Sequence, residues 1–282
     1  MQHILILTRP EAKNKDLAFS LQAAICEQQL GNIHVLSLPA LTINPYAWSA
    51  LRTSAQMDFQ QLGQFDAVFC VSPLAIDIFF SILAEQSISV PAQLRFLAVG
   101  GGSKEALLRH GIAPTRIISA TEGNDSEALL QALQEQEPLH RLLLVRGETG
   151  RNWLLEQLQQ QGIVVHTHTI YQRLPSTLTQ EQEHQLLNLS APVCLQWLFT
   201  SSESVRALLM TLHQHGIWKY CQQIAVQQQF WVIHPRIAEV LKEVLAQISP
   251  NGEQATGFTI KLIDTENTQI QSTMLKHAHN IG

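Results

Sequence analysis

Short, continuous apolar runs alternate along the chain with longer stretches in which apolar residues recur at helical spacing. The runs are Ile4 to Leu7, Ala67 to Val71, Phe96 to Val99, Leu142 to Val145, Leu195 to Phe199 and Phe230 to Ile233. They read as strands, and their alternation with helices predicts parallel βαβ units. After Val71 the set Leu74, Ala75, Ile78, Phe79, Ile82 and Leu83 keeps a helical period, as do Ile237, Val240, Leu241, Val244, Leu245 and Ile248 near the end. Each set predicts a helix with one face on a sheet. The helix starts look alike: Ser72-Pro73 sets a capping hydroxyl before proline, and Thr200-Ser201-Ser202, with Ser202 read as the cap, precedes Val205, Leu208, Leu209 and Leu212. In such sheets ligands bind beyond the carboxyl ends of the strands, where helix N-termini offer unpaired N–H groups and a positive dipole end.

An internal repeat suggests two domains of one design. Leu5 to Glu11 resembles Leu142 to Glu148, and the same lag aligns Leu17 with Leu154 and Leu21 with Leu158. Val68 to Leu83 likewise resembles Leu198 to Leu212. Leu38-Pro39 follows the opening unit, and Leu174-Pro175 follows the later ones, like paired crossing points. The chain is therefore expected to build a discontinuous first domain from residues 1–37 and 173–282. A second domain, 38–172, would include two linker strands, with a hinge and a cleft beneath it.

The length of 282 residues suits two domains of ordinary size, and 45% hydrophobic against 15% charged residues indicates a globular chain. A net charge of −5 with no run of Lys or Arg argues against a nucleic-acid partner and favours a small molecule. The opening Met1 to Pro10 has no basic region, and its apolar stretch is too short for a signal peptide or membrane span, so a cytoplasmic protein is expected. Cys26, Cys70, Cys194 and Cys221 are scattered and read as buried thiols rather than a zinc or redox pair.

Several elements, in order and spacing, resemble the uroporphyrinogen-III synthase family. They are Leu7-Thr8-Arg9-Pro10, Asp66 to Ala75 around Ser72-Pro73, Ala98 to Ser103, and Asn124 to Leu130. Arg146 to Arg151, Gly162, Tyr171-Gln172-Arg173 and Phe199 to Ser202 complete the set, which runs nearly end to end. The chain departs from the family at Ser103, where threonine is common, at His234-Pro235-Arg236, which replaces a small turn, and in the tail after Met274. The resemblance implies two flavodoxin-like, Rossmann-type parallel-sheet domains joined by a two-stranded linker. It also implies a cofactor-independent lyase that closes hydroxymethylbilane, a linear tetrapyrrole with eight carboxylates, to uroporphyrinogen III. Ring D is inverted through a spiro intermediate and water is lost.

The enzyme's task is then orientation, since unassisted closure gives the uninverted isomer. No nucleophile elbow, Walker loop or H-E-x-x-H motif is present in the sequence, in keeping with a chemically sparse site. Loss of hydroxide needs a proton donor, and the resemblance assigns that to Tyr171; the bland alternative is a linker tyrosine packed against both domains. For the carboxylates the candidates are Thr8, Ser72, Pro73, Gly100, Ser103, Thr200, Ser201 and Ser202 at helix starts. The hydroxyls can equally be plain caps. Arg9, Arg146, Arg151, Arg173 and Arg236 are candidate bidentate partners, with solvated surface charge as the alternative. Gly100-Gly101-Gly102 reads as a tight turn approached by ligand rather than a phosphate loop. His166 and His168 share a strand face but lack an evident third metal ligand, and surface histidines are the default. No metal or cofactor is expected, the protein is read as a monomer, and a transient contact with porphobilinogen deaminase is a further expectation. Two rival readings are a two-lobed binding protein closing on a sugar or amino acid, which the missing export signal disfavours, and a two-domain nucleotide-sugar transferase.

Overall fold

The computed structural model describes residues 1–120, 126–134, 136–149, 152–249, 258–264 and 266–280. The chain opens with β1 (Gln2–Leu7), α1 (Glu11–Glu27), β2 (Ile33–Ser37) and β3 (Leu41–Pro45). There follow α2 (Thr53–Gln60), β4 (Ala67–Cys70), α3 (Pro73–Glu85), β5 (Arg95–Ala98), α4 (Gly101–Arg109) and β6 (Ile117–Ser119). Next come α5 (Ser126–Gln134), β7 (Arg141–Gly147), α6 (Trp153–Gln160) and the long β8 (Val164–Pro175). The last part holds α7 (Gln180–Leu187), β9 (Val193–Phe199), α8 (Ser202–Gln214), α9 (Ile217–Ile224) and β10 (Ala225–Val232). It ends with α10 (Pro235–Ile248), β11 (Phe258–Leu262) and α11 (Asn267–Asn280).

The chain divides into two compact units, residues 1–42 with 174–282, and residues 43–173. It passes between them along β3 and the end of β8. In the first unit Ser176 donates its N–H to Ala40 O at 3.0 Å, and the hydroxyls of Thr42 and Ser176 lie 2.9 Å apart, tying the outgoing and returning chain together.

The first unit's sheet runs β11-β10-β9-β1-β2, all parallel. Counted along the chain this is the 2-1-3-4-5 order of flavodoxin-type sheets. One face carries Ile6, Trp197, Phe199 and Phe230 under α8, α9 and α10; the other carries Leu5, Leu7 and Leu198 under α1 and α11. Burial on both faces explains why these strands are unbroken apolar runs. The tail belongs to this core, since Ile270, Met274, Leu275 and Ala278 of α11 are buried against Leu17 and Leu21 of α1.

The second unit's sheet runs β3-β8-β7-β4-β5-β6, and from β4 onward its strands take the 3-2-1-4-5 order, the other common doubly wound arrangement. Val68, Phe96, Val145 and Ile170 face α2, α3 and α4, while Ala67, Phe69, Leu142 and Leu144 face α5 and α6. The first sheet and strands β8-β7-β4-β5-β6 of the second are thus of the parallel α/β type expected, while β3 meets β8 antiparallel, with Tyr46 N–H on Ile170 O and Ser176 N–H on Ala40 O. Cys26 differs from expectation: it sits near the end of α1 on the solvent side and is exposed, whereas Cys70, Cys194 and Cys221 are buried. Among the described residues no helix is long and apolar enough to cross a membrane.

Candidate active site

In the first unit the strand order reverses between β1 and β9, whose following helices α1 and α8 lie on opposite faces of the sheet. The carboxyl ends of two such strands open a crevice, and the turns after them are the natural ligand seats. Thr8 directly follows β1, but it does not cap α1: its hydroxyl donates to Leu198 O at 2.5 Å and ties the end of β1 to β9. Arg9 is also not the solvated charge its position suggested. It is 6% exposed, and its guanidinium donates to Lys13 O at 2.7 Å and to Asn267 Oδ1 at 2.9 Å. Burial lowers its pKa, with Asp16 acting the other way. Arg9 therefore anchors α11 rather than standing free for a ligand.

After β9 the cap is Ser201, not Ser202: Ser201 Oγ accepts the Ser204 N–H at 3.0 Å, and Ser204 Oγ donates to Ser201 O at 2.7 Å. Ser72 and Ser201 are then the equivalent caps, at a lag one residue shorter than expected. Thr200 is half-buried beside them, and the buried Ser202 hydroxyl has no partner among the described residues. Arg236 lies one strand over, exposed in the first turn of α10, where its N–H donates to Nδ1 of the capping His234 at 3.1 Å.

In the second unit the order reverses between β4 and β7, with α3 and α6 on opposite faces. Ser72 Oγ caps α3 by accepting the Ala75 N–H at 3.2 Å, and Pro73 occupies the first helical position as predicted. Gly100 caps α4 at φ +78°, a conformation that favours glycine, and a Cβ on Gly102 would meet Pro73 Cγ at 3.5 Å. That is ordinary van der Waals contact, and it places the starts of α3 and α4 side by side. Ser103, in the first turn of α4, is buried. Arg146 is buried too, and its guanidinium donates to Asn152 Oδ1 at 2.7 Å, so it shapes the turn after β7. Arg151 lies outside the described residues.

Tyr171 is brought to this same turn. A register shift between Arg146 and Gly147 sets Gly147 opposite Tyr171, and Glu148 N–H donates to Tyr171 O at 3.1 Å. The ring is 2% exposed in the second unit's core and covers Gly147 so closely that an added Cβ would lie 2.6 Å from its Cε2 and Cζ. Arg173 places its guanidinium carbon 6.0 Å from the ring centroid. No side chain among the described residues holds the Tyr171 hydroxyl.

Two neighbours, Tyr46 and Glu148, join this turn. Tyr46 N–H donates to Ile170 O at 2.9 Å, and the Tyr46 hydroxyl donates to Glu148 Oε1 in a short hydrogen bond. That bond, then burial and the carboxylate's charge, raises the Tyr46 pKa. His166 and His168 are not surface residues without a carboxylate. Their Nδ1 and Nε2 atoms meet Asp58 Oδ2 at 2.8 Å and 2.7 Å, and Gln64 donates to Asp58 Oδ1 at 3.0 Å. Burial pushes the Asp58 pKa up, but the hydrogen bonds from His168 and His166 outweigh it and hold the carboxyl below its usual range. The distances describe a hydrogen-bonded latch between α2 and β8, and among the described residues no group of His, Cys, Asp and Glu is arranged to hold a metal ion.

These two sets of turns can be compared with known proteins. Residues 20–249 match the family model described as uroporphyrinogen-III synthase HemD. The fold is similar to a solved uroporphyrinogen III synthase mutant from the extreme thermophile Thermus thermophilus, with a TM-score of 0.55, 15% identity and complete coverage of both chains. It is similar as well to uroporphyrinogen-III synthetase from Helicobacter pylori, with a TM-score of 0.54, 14% identity and complete coverage of both. At such identities the structures establish the likeness of fold, and the family match carries the rest: this chain belongs to the uroporphyrinogen-III synthase family.

Proposed function

We propose that the protein cyclises hydroxymethylbilane to uroporphyrinogen III as a cofactor-independent hydro-lyase, with Tyr171 as the proton donor. The observation that carries this reading is the Tyr171 hydroxyl, unheld by any side chain among the described residues, on a ring locked over Gly147 at the carboxyl end of β7 and β8. When the carbon–oxygen bond of the hydroxymethyl group breaks, the electron pair leaves with oxygen, which takes the Tyr171 proton and departs as water. Arg173 beside the ring favours the resulting phenolate. The substituted carbon of ring D then attacks the cation, the spiro intermediate rearranges, and the proton finally released restores the phenol. General acid assistance of this kind is worth about 10²- to 10⁴-fold.

Each unit offers its own carboxylate donors: in the second, the first-turn N–H groups of α3 and α4 behind Ser72 and Gly100; in the first, those of α8 behind Ser201, with the Ser202 and Thr200 hydroxyls and the exposed Arg236. Arg9 and Arg146 support these turns from within. The same reading has the protein acting as a monomer in the cytoplasm and meeting porphobilinogen deaminase transiently, because the linear substrate closes by itself once released. No observation favours the sugar-binding or nucleotide-sugar transferase readings. The test feeds porphobilinogen through its deaminase, adds chelator-treated protein without cofactor, and separates the oxidised uroporphyrin isomers. Isomer III is expected; persistence of isomer I with folded protein would overturn the proposal.

A further inference from the structure

The turn after β7 contains a carboxylate that hydroxide loss by Tyr171 does not by itself require. Glu148 is exposed, its backbone N–H is bonded to Tyr171 O, and one carboxylate oxygen is held by the Tyr46 hydroxyl. Tyr46 is itself pinned alongside β8 through its N–H to Ile170 O. Oε2 of Glu148 has no partner among the described residues. The Tyr46 and Glu148 side chains thus meet beside the Tyr171 backbone, at the turn after β7 whose Gly147 lies under the Tyr171 ring.

A negative charge here opposes binding of a polycarboxylate. Two like charges 4 Å apart repel by about 1 kcal/mol in water and about 4 kcal/mol at the effective dielectric of a protein surface. A group that costs ground-state affinity is favourable where positive charge develops, because only interactions stronger in the transition state accelerate the step. Positive charge does develop in this reaction: departure of hydroxide leaves a cation spread over the methylene carbon and the pyrrole N–H.

We propose that Glu148, positioned by Tyr46, is the carboxylate that stabilises this cation, its free oxygen accepting the pyrrole N–H while Tyr171 protonates the leaving oxygen. The inference rests on the proposed cyclase reading. Bond changes are those already described: the carbon–oxygen bond breaks, Tyr171 supplies the proton of the departing water, and Glu148 exchanges no proton, contributing only its charge and one accepted hydrogen bond. Tyr46 is a positioning residue. Its raised pKa keeps its hydroxyl protonated as the donor that aims the carboxylate.

A purely structural Tyr46–Glu148 tie makes a different forecast, because glutamine still accepts the Tyr46 hydrogen bond. The experiment compares Glu148→Gln, Glu148→Asp, Tyr46→Phe and Tyr171→Phe in the deaminase-coupled assay, reading kcat and KM separately together with the melting temperature. For Glu148→Gln kcat should fall on the order of 10- to 100-fold, with KM unchanged or lower and melting unchanged. Glu148→Asp, which keeps the charge, should retain more kcat than Glu148→Gln, and Tyr46→Phe should lie between Glu148→Gln and the parent protein. Parent-level kcat in Glu148→Gln, a rise in KM alone, or an aspartate variant no better than the glutamine one would overturn the inference and leave the cyclase reading standing. Exclusive isomer I from the unsubstituted protein would instead remove the reading beneath it.

Discussion

Gly147→Ala places a methyl carbon 2.6 Å from Cε2 and Cζ of Tyr171 and 3.0 Å from its hydroxyl oxygen. Carbon atoms rest at about 3.5–4.0 Å, so one partner must yield by about 1 Å. Gly147 is not among the residues with positive φ, so alanine suits the backbone there and the effect is steric. Leu143, Val145 and Ile170 share the ring's buried cluster, and interiors packed to crystal density absorb little displacement. Overpacking of this kind costs about 1–3 kcal/mol, and a displacement of about 1 Å in a reacting group costs on the order of 10²-fold in rate. The deaminase-coupled assay should therefore show Gly147→Ala slowed on the order of 100-fold, with a modest fall in melting temperature. In a Tyr171→Phe background the same substitution should cost much less rate, because the misplaced hydroxyl is already gone. Parent-level turnover in Gly147→Ala, or full additivity with Tyr171→Phe, would refute the claim that Gly147 acts through Tyr171.

Three further perturbations test the surrounding framework. Asp58→Asn leaves two imidazoles competing for one neutral acceptor and should destabilise the second unit by about 2 kcal/mol near neutral pH, measured by urea unfolding. The lowered folded pKa of Asp58 puts this stabilisation fully in place above the usual carboxylate pKa of about 3.9 and removes it as pH falls through the lower folded value, so the difference between parent and variant should shrink in acid. His3 is buried with neither ring nitrogen partnered among the described residues; burial and then the N-terminal ammonium lower its pKa. The parent should lose stability as pH falls below about 6.5 toward the lowered folded value, and His3→Leu should flatten that loss. Arg9→Ala should lower the melting temperature by releasing Asn267 and α11 while leaving KM unchanged; a raised KM without a stability loss would return Arg9 to the substrate site.

What the sequence disclosed was local. Leu142 to Val145 reads as a strand because a sheet covered on both faces needs uninterrupted apolar residues, and Ser72-Pro73 reads as a cap because hydroxyl and proline are neighbours. With three hydroxyls in succession at Thr200 to Ser202, the cap could be misplaced by one residue. Partners distant in the chain were hidden. Arg9 finds Asn267 258 positions away, and Asp58 finds His166 and His168 at separations of 108 and 110. Nothing in the spacing of these residues announces such pairs, so Arg9, a candidate substrate partner by its position, and His166 and His168, surface residues by default, are internal supports. Tyr46 and Glu148, 102 positions apart, were passed over for the same reason.

The most direct measurement of the account is Tyr171→Phe in the coupled assay, with rate and isomer ratio followed against enzyme concentration so that spontaneous closure can be subtracted. If orientation and hydroxide loss are separate tasks, the enzymatic rate should fall by about 10²-fold or more while the enzymatic product stays isomer III. Turnover equal to the parent's would contradict the assignment of Tyr171 as proton donor.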